Sequence, residues 1–286
     1  MGFAYDLGVN AGAAVLGAGA ATGALKPRRR VRDRFDRSFW AFLEKPTIFV
    51  AGDLTSSVLL HDLAAMLKSR SPSEDGQEEL LAAVVQRVDQ QEISGLIGRG
   101  DFEAITRLVT RFASVRLPTD LPILRPSELL PAQRKHNLVL IGGGDVNSLS
   151  ADFSERLGCH LITTLNDTDH AVIRDLHLDK EYAVEINGPD ARGVKRTVDY
   201  GVLARGRNPE NPDREVVVIA GAHGFGTLAA AEVSVAREHQ RRLLRDYREY
   251  RGFEALVRYE RQDHDSAKGQ PLVELEIVRR LRPRKA

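Results

Sequence analysis

Cysteine is almost missing from this chain: its 286 residues contain one, Cys159. A single thiol closes no internal disulfide and builds no cysteine-rich zinc or iron–sulfur site, which suits a reducing interior. An excess of charge is missing too, since 41 Lys plus Arg face 40 Asp plus Glu for a formal net charge of +1. No global field draws the molecule to nucleic acid or acidic lipid, so any such contact needs a local patch. Three familiar patterns are also lacking. No G-K-[ST] occurs, which excludes a P-loop. No G-x-S-x-G elbow occurs, which disfavours an ordinary α/β hydrolase. No internal repeat runs at solenoid spacing. What remains is of globular type, 42% apolar and 28% charged, and that balance excludes collagen-like, fully disordered and polytopic membrane classes.

The ends of the chain differ from its middle. Residues 7–25 carry no charge and are followed by Lys26, Arg28, Arg29, Arg30 and Arg32. A run of that length can just span a bilayer, with the basic cluster on the cytoplasmic side. Against this, the run is mostly Gly and Ala, with Asn10 and Thr22 inside it, so a tail packed on or trailing from the domain is the leading expectation. Membrane contact through residues 7–37 stays the alternative, and the location expected is cytoplasmic, with membrane association open. Phe35, Phe39, Phe42 and Leu43 fall on one helical stripe. That stripe either docks aromatics onto the core or lies at a membrane surface. At the other end, Arg279, Arg280, Arg282, Arg284 and Lys285 form a basic tail without aromatics to stack on bases, so no specific nucleic-acid binding is expected.

Three internal segments repeat one pattern: a uniformly apolar, β-prone run, a glycine loop with polar residues, and an apolar-periodic helix. The runs are 47–51, 138–141 and 215–220. Strands without polar alternation are covered on both faces, the mark of a central sheet flanked by helices. The expected fold is therefore α/β, a mostly parallel three-layer sheet. Residues 101–114 predict a helix with Asp101 as its cap. A short edge strand is expected at 115–117 or 123–124 among prolines, and further strands at 159–164, 182–186 and 200–204. The loop 205–214 is too short for a crossover helix and predicts an antiparallel hairpin. Residues 253–259 and 272–278 predict a terminal hairpin. The domain expectation is a terminal segment 1–34, an α/β domain 35–252, and a hairpin with basic tail 253–286 packed on it.

In such a sheet, ligands sit where parallel strands turn into helices. Glycines permit close approach, and a helix start offers unpaired N–H groups with positive partial charge, which suits phosphate. The candidate ligand-binding residues are Gly52, Thr55 and Ser56 in the first loop, Gly142, Gly143, Gly144, Asn147 and Ser148 in the second, and Gly221, Gly224, Gly226 and Thr227 in the third. Asp53, Asp145 and His223 are the candidate catalytic groups, since carboxylates and an imidazole can move protons near neutral pH. The competing reading is that these glycines serve chain geometry alone. The spacing Gly221-x-x-Gly224-x-Gly226 departs from the dinucleotide fingerprint and lacks its acid at a following strand end, which argues against a nicotinamide dehydrogenase. The knot Asn166, Asp167, Thr168, Asp169 and His170 supplies too few close oxygens for a metal cage, so no metal is expected.

Phe39, Trp40, Phe42 and Leu43, with Asp199-Tyr200-Gly201, Asn208-Pro209 and Val218-Ile219-Ala220-Gly221-x-His223-Gly224-x-Gly226-Thr227-x-Ala229-Ala230, resemble uncharacterised bacterial Rossmann-like domains that often sit beside membrane or signalling segments. The resemblance covers residues 35–235. It implies the Rossmann-like fold and no established activity. Together the residues and the resemblance lead to an expectation of a nucleotide or related phosphorylated metabolite bound by a sensor or effector. A nucleoside- or nucleotide-processing enzyme acting on the N-glycosidic bond and a non-catalytic interaction module are the alternatives. Nucleotide is the one cofactor candidate, and homo-oligomerisation is left open by the exposed hairpin edge.

Overall fold

The computed structural model describes residues 38–52, 98–167, 170–190, 193–250, 252–263 and 270–281. The first candidate loop beyond Gly52 (Asp53, Thr55 and Ser56) lies outside the described residues, as do residues 1–37. The chain is a mixed α/β protein. Its parallel block comprises β1 (Thr47–Ala51), β2 (Ile123–Leu124), β3 (Asn137–Ile141) and β9 (Asn211–Gly221), in the order β2-β1-β3-β9. From β9 the sheet continues antiparallel through β8 (Lys195–Asn208) and β10 (Gly252–Asp263) to β11 (Leu272–Arg280), with β7 (Glu185–Asn187) added to β8. The terminal hairpin therefore extends the main sheet, β10 pairing with β8 from Gly252↔Gly206 to Asp263↔Lys195.

The apolar runs behave as two-sided strands. Every residue of β1 and β3 is buried, and alternate side chains feed two cores. Phe49, Val139, Ile141, Val217 and Ile219 face one core, with helices α1 (Arg99–Val115), α3 (Gly224–Val235) and α4 (Arg237–Tyr250) over it. Ile48, Leu138, Leu140, Val216 and Val218 face the other, beneath α2 (Ser148–Leu157) and a separate antiparallel sheet. At roughly 1.5–3 kcal/mol for each large apolar side chain buried, these two layers supply the main driving force for the fold.

Several expectations need correction. The run expected at 159–164 forms β4 (Leu161–Leu165), but it pairs with β5 (Ala171–Asp175) and β6 (Lys180–Ala183) in the separate sheet, not with the central one. The single strand expected at 182–186 is split at Val184 between β6 and β7, which belong to different sheets. The hairpin of β8 and β9 is present, but both strands run through the expected loop and leave only Pro209 and Glu210 between them. The edge strand is 123–124; Val115 ends α1. The aromatic stripe is a core element. Phe39, Trp40, Phe42 and Leu43 are all buried at or beside a 3₁₀ turn, Ala41–Glu44. Trp40 Nε1 donates to Ser234 O at 3.1 Å, and the buried Arg205 guanidinium lies over the Phe39 ring while it pairs with Glu215. The membrane-surface reading fails for these four residues, because their side chains are already covered by protein. No helix among the described residues is long and apolar enough to cross a membrane.

α3 approaches β8 through glycine on both sides. A Cβ at Gly226 would stand 1.9 Å from Tyr200 O, and one at Gly201 would stand 2.1 Å from Gly226 O. Backbone atoms cannot yield as a flexible side chain does, so Gly226→Ala should cost about 3 kcal/mol. Gly188→Ala, where nothing lies within 4 Å, should be neutral. Urea unfolding of the two variants checks this, with unequal midpoints at equal m expected.

Candidate functional site

Ala51, Ile141 and Ile219 stand level across β1, β3 and β9. Beyond them the ladder continues one step, with Gly52 N donating to Ile141 O at 2.8 Å and Gly142 N to Ile219 O at 3.0 Å. The second and third loops and the start of the first thus leave the sheet along one edge. The chain goes from β1 to β2 on one side, while from β3 it reaches β9 on the other. The connections diverge between Gly52 and Gly142, the position where open α/β sheets leave a crevice.

The residue seated there is Asp101. It is the third residue of α1, whose cap is Gly98, so the expected capping role is not observed. Its side chain is turned inward and the residue is 7% exposed. A Cβ at Gly142 would be 2.7 Å from Asp101 Oδ2, and one at Gly52 would be 3.3 Å from it. Gly142 also has φ +101°, which favours glycine independently of the space. The Thr227 hydroxyl hydrogen-bonds to the Asp101 carboxylate. Burial pushes this carboxyl up to about 6; the Thr227 bond opposes the rise, and the charge of Asp145 adds to it. A cationic partner is not among these influences, and the neighbouring Arg99 is paired with Glu103.

The second loop is built partly for itself. Gly143 O accepts the N–H groups of Val146 and Asn147, and Gly144 N donates to Thr163 Oγ1 at 2.7 Å. Asn147, fully buried, donates from Nδ2 to Val50 O and Ile141 O, both at 3.0 Å, tying the ends of β1 and β3 together. Its Oδ1 has no hydrogen-bond partner among the described residues. Asn147 is the N-cap position of α2, yet its side chain makes no capping hydrogen bond. Ser148 and Asp145 are exposed.

The third loop differs. Asp199 on β8, fully buried, accepts from Gly226 N at 2.7 Å, Tyr200 N at 2.7 Å and His223 N at 3.2 Å. Burial pushes its carboxyl up, against the pull of these donors and of His223. Two of the N–H groups at the start of α3 are thus already turned to an anion that belongs to the protein. Gly221 and Gly226 serve close packing, and Gly224 meets Gly100 of α1. His223 is exposed at this rim.

The structure therefore brings Gly52, Gly142, Gly143, Gly221, Gly224 and Thr227 to one border. Asp101, the acid at its centre, escaped sequence reasoning because a polar residue opening a helix reads first as a cap. The one cysteine is not part of the site: burial pushes the Cys159 thiol up and removes it as a nucleophile. The knot at 166–170 closes on itself, His170 N donating to Asn166 Oδ1 and Asn166 N to His170 O, both at 2.9 Å, while Thr168 and Asp169 lie outside the described residues. Among the described residues, no group of three or more His, Cys, Asp or Glu side chains is arranged to hold a metal ion. A cavity of about 420 Å³ lies at the amino ends of the parallel strands, lined in part by Lys45, Pro46, Pro118 and His136, away from these loops. No family model, no curated protein and no solved structure matches the chain.

A carboxyl whose pKa is raised in the folded state favours the native protein at low pH. That contribution is complete below the unfolded value of 3.8, is lost as pH rises to about 6, and stays lost above it. Asp101→Asn should match the wild type near pH 4 and exceed it by about 3 kcal/mol above pH 7. The difference in unfolding free energy between the two proteins, followed from pH 4 to pH 8, measures this.

Proposed function

We propose that the chain is a Rossmann-like α/β protein that binds a nucleotide or a related phosphorylated metabolite where β1 and β3 diverge, and acts as a sensor or effector. The observation that carries the reading is Asp101, a buried carboxyl with no cation beside it among the described residues, set against Gly52 and Gly142 at the divergence. Such a group works against stability, and perturbed acids held in that way concentrate at functional sites. A carboxyl suits the hydroxyls of a sugar and not a phosphate. For the phosphate, the start of α2 is the better place, since its N-cap side chain makes no capping bond and Ser148 is exposed there, whereas Asp199 already engages α3. The sugar then faces Asp101 and the phosphate faces residues 143–148.

A second reading is favoured by the same carboxyl. With its pKa pushed up to about 6, Asp101 is protonated in a far larger fraction near neutral pH than an ordinary carboxyl and can pass that proton to a leaving group, with Asp145 as the second carboxylate. On that reading the protein cleaves or transfers at an N-glycosidic bond, and Asp101 joins Asp53, Asp145 and His223 as a candidate.

Melting temperatures measured with AMP, ADP, ATP, NAD and adenosine test the proposal. A ligand at a hundredfold excess over its Kd adds about 2.7 kcal/mol, or roughly 5 °C for a chain of this size. Ser148→Glu should abolish the shift from phosphorylated compounds and spare that from adenosine. No shift with any compound overturns the proposal. Release of free base by the wild type but not by Asp101→Asn would establish the enzymatic reading over the sensor.

A further inference from the structure

Away from the candidate site, a pair of histidines is held in place by two wholly buried acids. His160 precedes β4 and His177 follows β5, and both are exposed. Leu176 N donates to His160 O at 2.8 Å, which binds the two segments together. Glu254 on β10 accepts the N–H of His160 at 2.7 Å and of Leu161 at 2.9 Å through Oε2, and its Oε1 lies 3.3 Å from His160 Nδ1. Asp175 accepts the N–H of His177 at 2.9 Å and is itself gripped by both terminal nitrogens of Arg279, one of which stands 3.8 Å from Glu254 Oε1. Both acids are 0% exposed. The imidazole centres are 5.8 Å apart, edge to face.

We propose that His160 and His177 form a binding site for a divalent transition ion of borderline softness, Zn²⁺, Cu²⁺ or Ni²⁺, with water in the remaining positions. Imidazole is a good ligand for these ions and a poor one for Mg²⁺ or Ca²⁺. With metal–nitrogen bonds of about 2.1 Å, a ring centre stands ~3.2 Å from the ion, so two rings on one tetrahedral ion have centres ~5.2 Å apart. The observed 5.8 Å is wider by about half an ångström, a gap that a small rotation of one exposed side chain closes. The tautomer in which His160 Nδ1 donates to Glu254 leaves Nε2 as the lone-pair donor, the arrangement that metal-binding histidines adopt with a carboxylate behind them. His177 is exposed, and rotation about its side-chain bonds, a fast motion at a surface, aims its nitrogen at the same point. The backbones on either side do not need to move, because Glu254 and Asp175 already hold them.

Electron paramagnetic resonance of the untagged full-length protein with one equivalent of Cu²⁺ tests this. The wild type should show coupling to two imidazole nitrogens, and ZnCl₂ should raise its melting temperature where MgCl₂ does not. His177→Ala should lose one nitrogen and at least ~10-fold in Cu²⁺ affinity. Its metal-free melting temperature should be unchanged, since the ring it loses is at the surface. Two-nitrogen coupling that survives in His177→Ala, or its absence from the wild type, overturns the assignment.

Discussion

Removing a carboxylate from water is costly, and three peptide N–H groups, with the pull of His223 added to theirs, are the compensation that Asp199 receives. The arrangement works at one distance of α3 from β8, because the donors at His223 and Gly226 belong to the start of the helix and the acceptor belongs to the strand. Glycine at 201 and 226 makes that distance reachable. Once α3 is fixed, its first residue meets Gly100 at the start of α1, and Thr227 reaches Asp101. The position of the central acid, on helix α1, therefore follows from a buried charge on strand β8. Helix dipole, glycine contacts and the burial of two carboxylates form one connected arrangement, and a change at position 199, 201 or 226 is transmitted to position 101.

A second buried acid system performs a similar task at the other face. The sheet of β4, β5 and β6 shares no backbone ladder with the main sheet. Besides the apolar layer around Phe153, Leu161 and Ile173, it is tied down by Glu254 on the main sheet holding the N–H groups that open β4, and by Arg279 on the main sheet clasping Asp175 at the end of β5. Burial alone would raise the Asp175 carboxyl, but Arg279 and the N–H groups of His177 and Leu178 outweigh that and hold it below the usual range. Directional bonds between buried charges specify where the small sheet sits more narrowly than apolar contact can.

Much of the framework was legible because burial on both faces leaves a plain mark. The runs at β1, β3 and β9 are apolar without alternation, and each is a two-sided strand. The terminal hairpin and the β8–β9 hairpin follow from alternation and from a link too short for a helix. The separate sheet was not legible, because a strand such as Leu161–Leu165 reads the same whichever sheet receives it. What decides its partner is Glu254, 93 residues away from Leu161. The glycines were ambiguous for a related reason. Gly142 is demanded by its φ, Gly226 by the carbonyl of Tyr200, and Gly52 by Val146 and Asp101. The same letter thus answers three requirements that differ only in space.

The electrostatics of the divergence point set terms for the ligand proposed to bind there. Asp101 exchanges its proton near pH 6, and the nearby negative charge of Asp145 contributes to that value. A dianionic phosphate placed directly against Asp101 would add to the same repulsion and raise the acid further, so binding would draw a proton from solution and weaken as pH rises. A sugar hydroxyl donating to the carboxylate would lower it, and binding would release a proton and strengthen as pH rises. The two orientations of one ligand thus carry opposite proton linkage. The proposed orientation, with the phosphate at α2 and the sugar at Asp101, is the one that relieves the acid, and in it a helix start meets an anion while the buried carboxyl meets a hydroxyl donor.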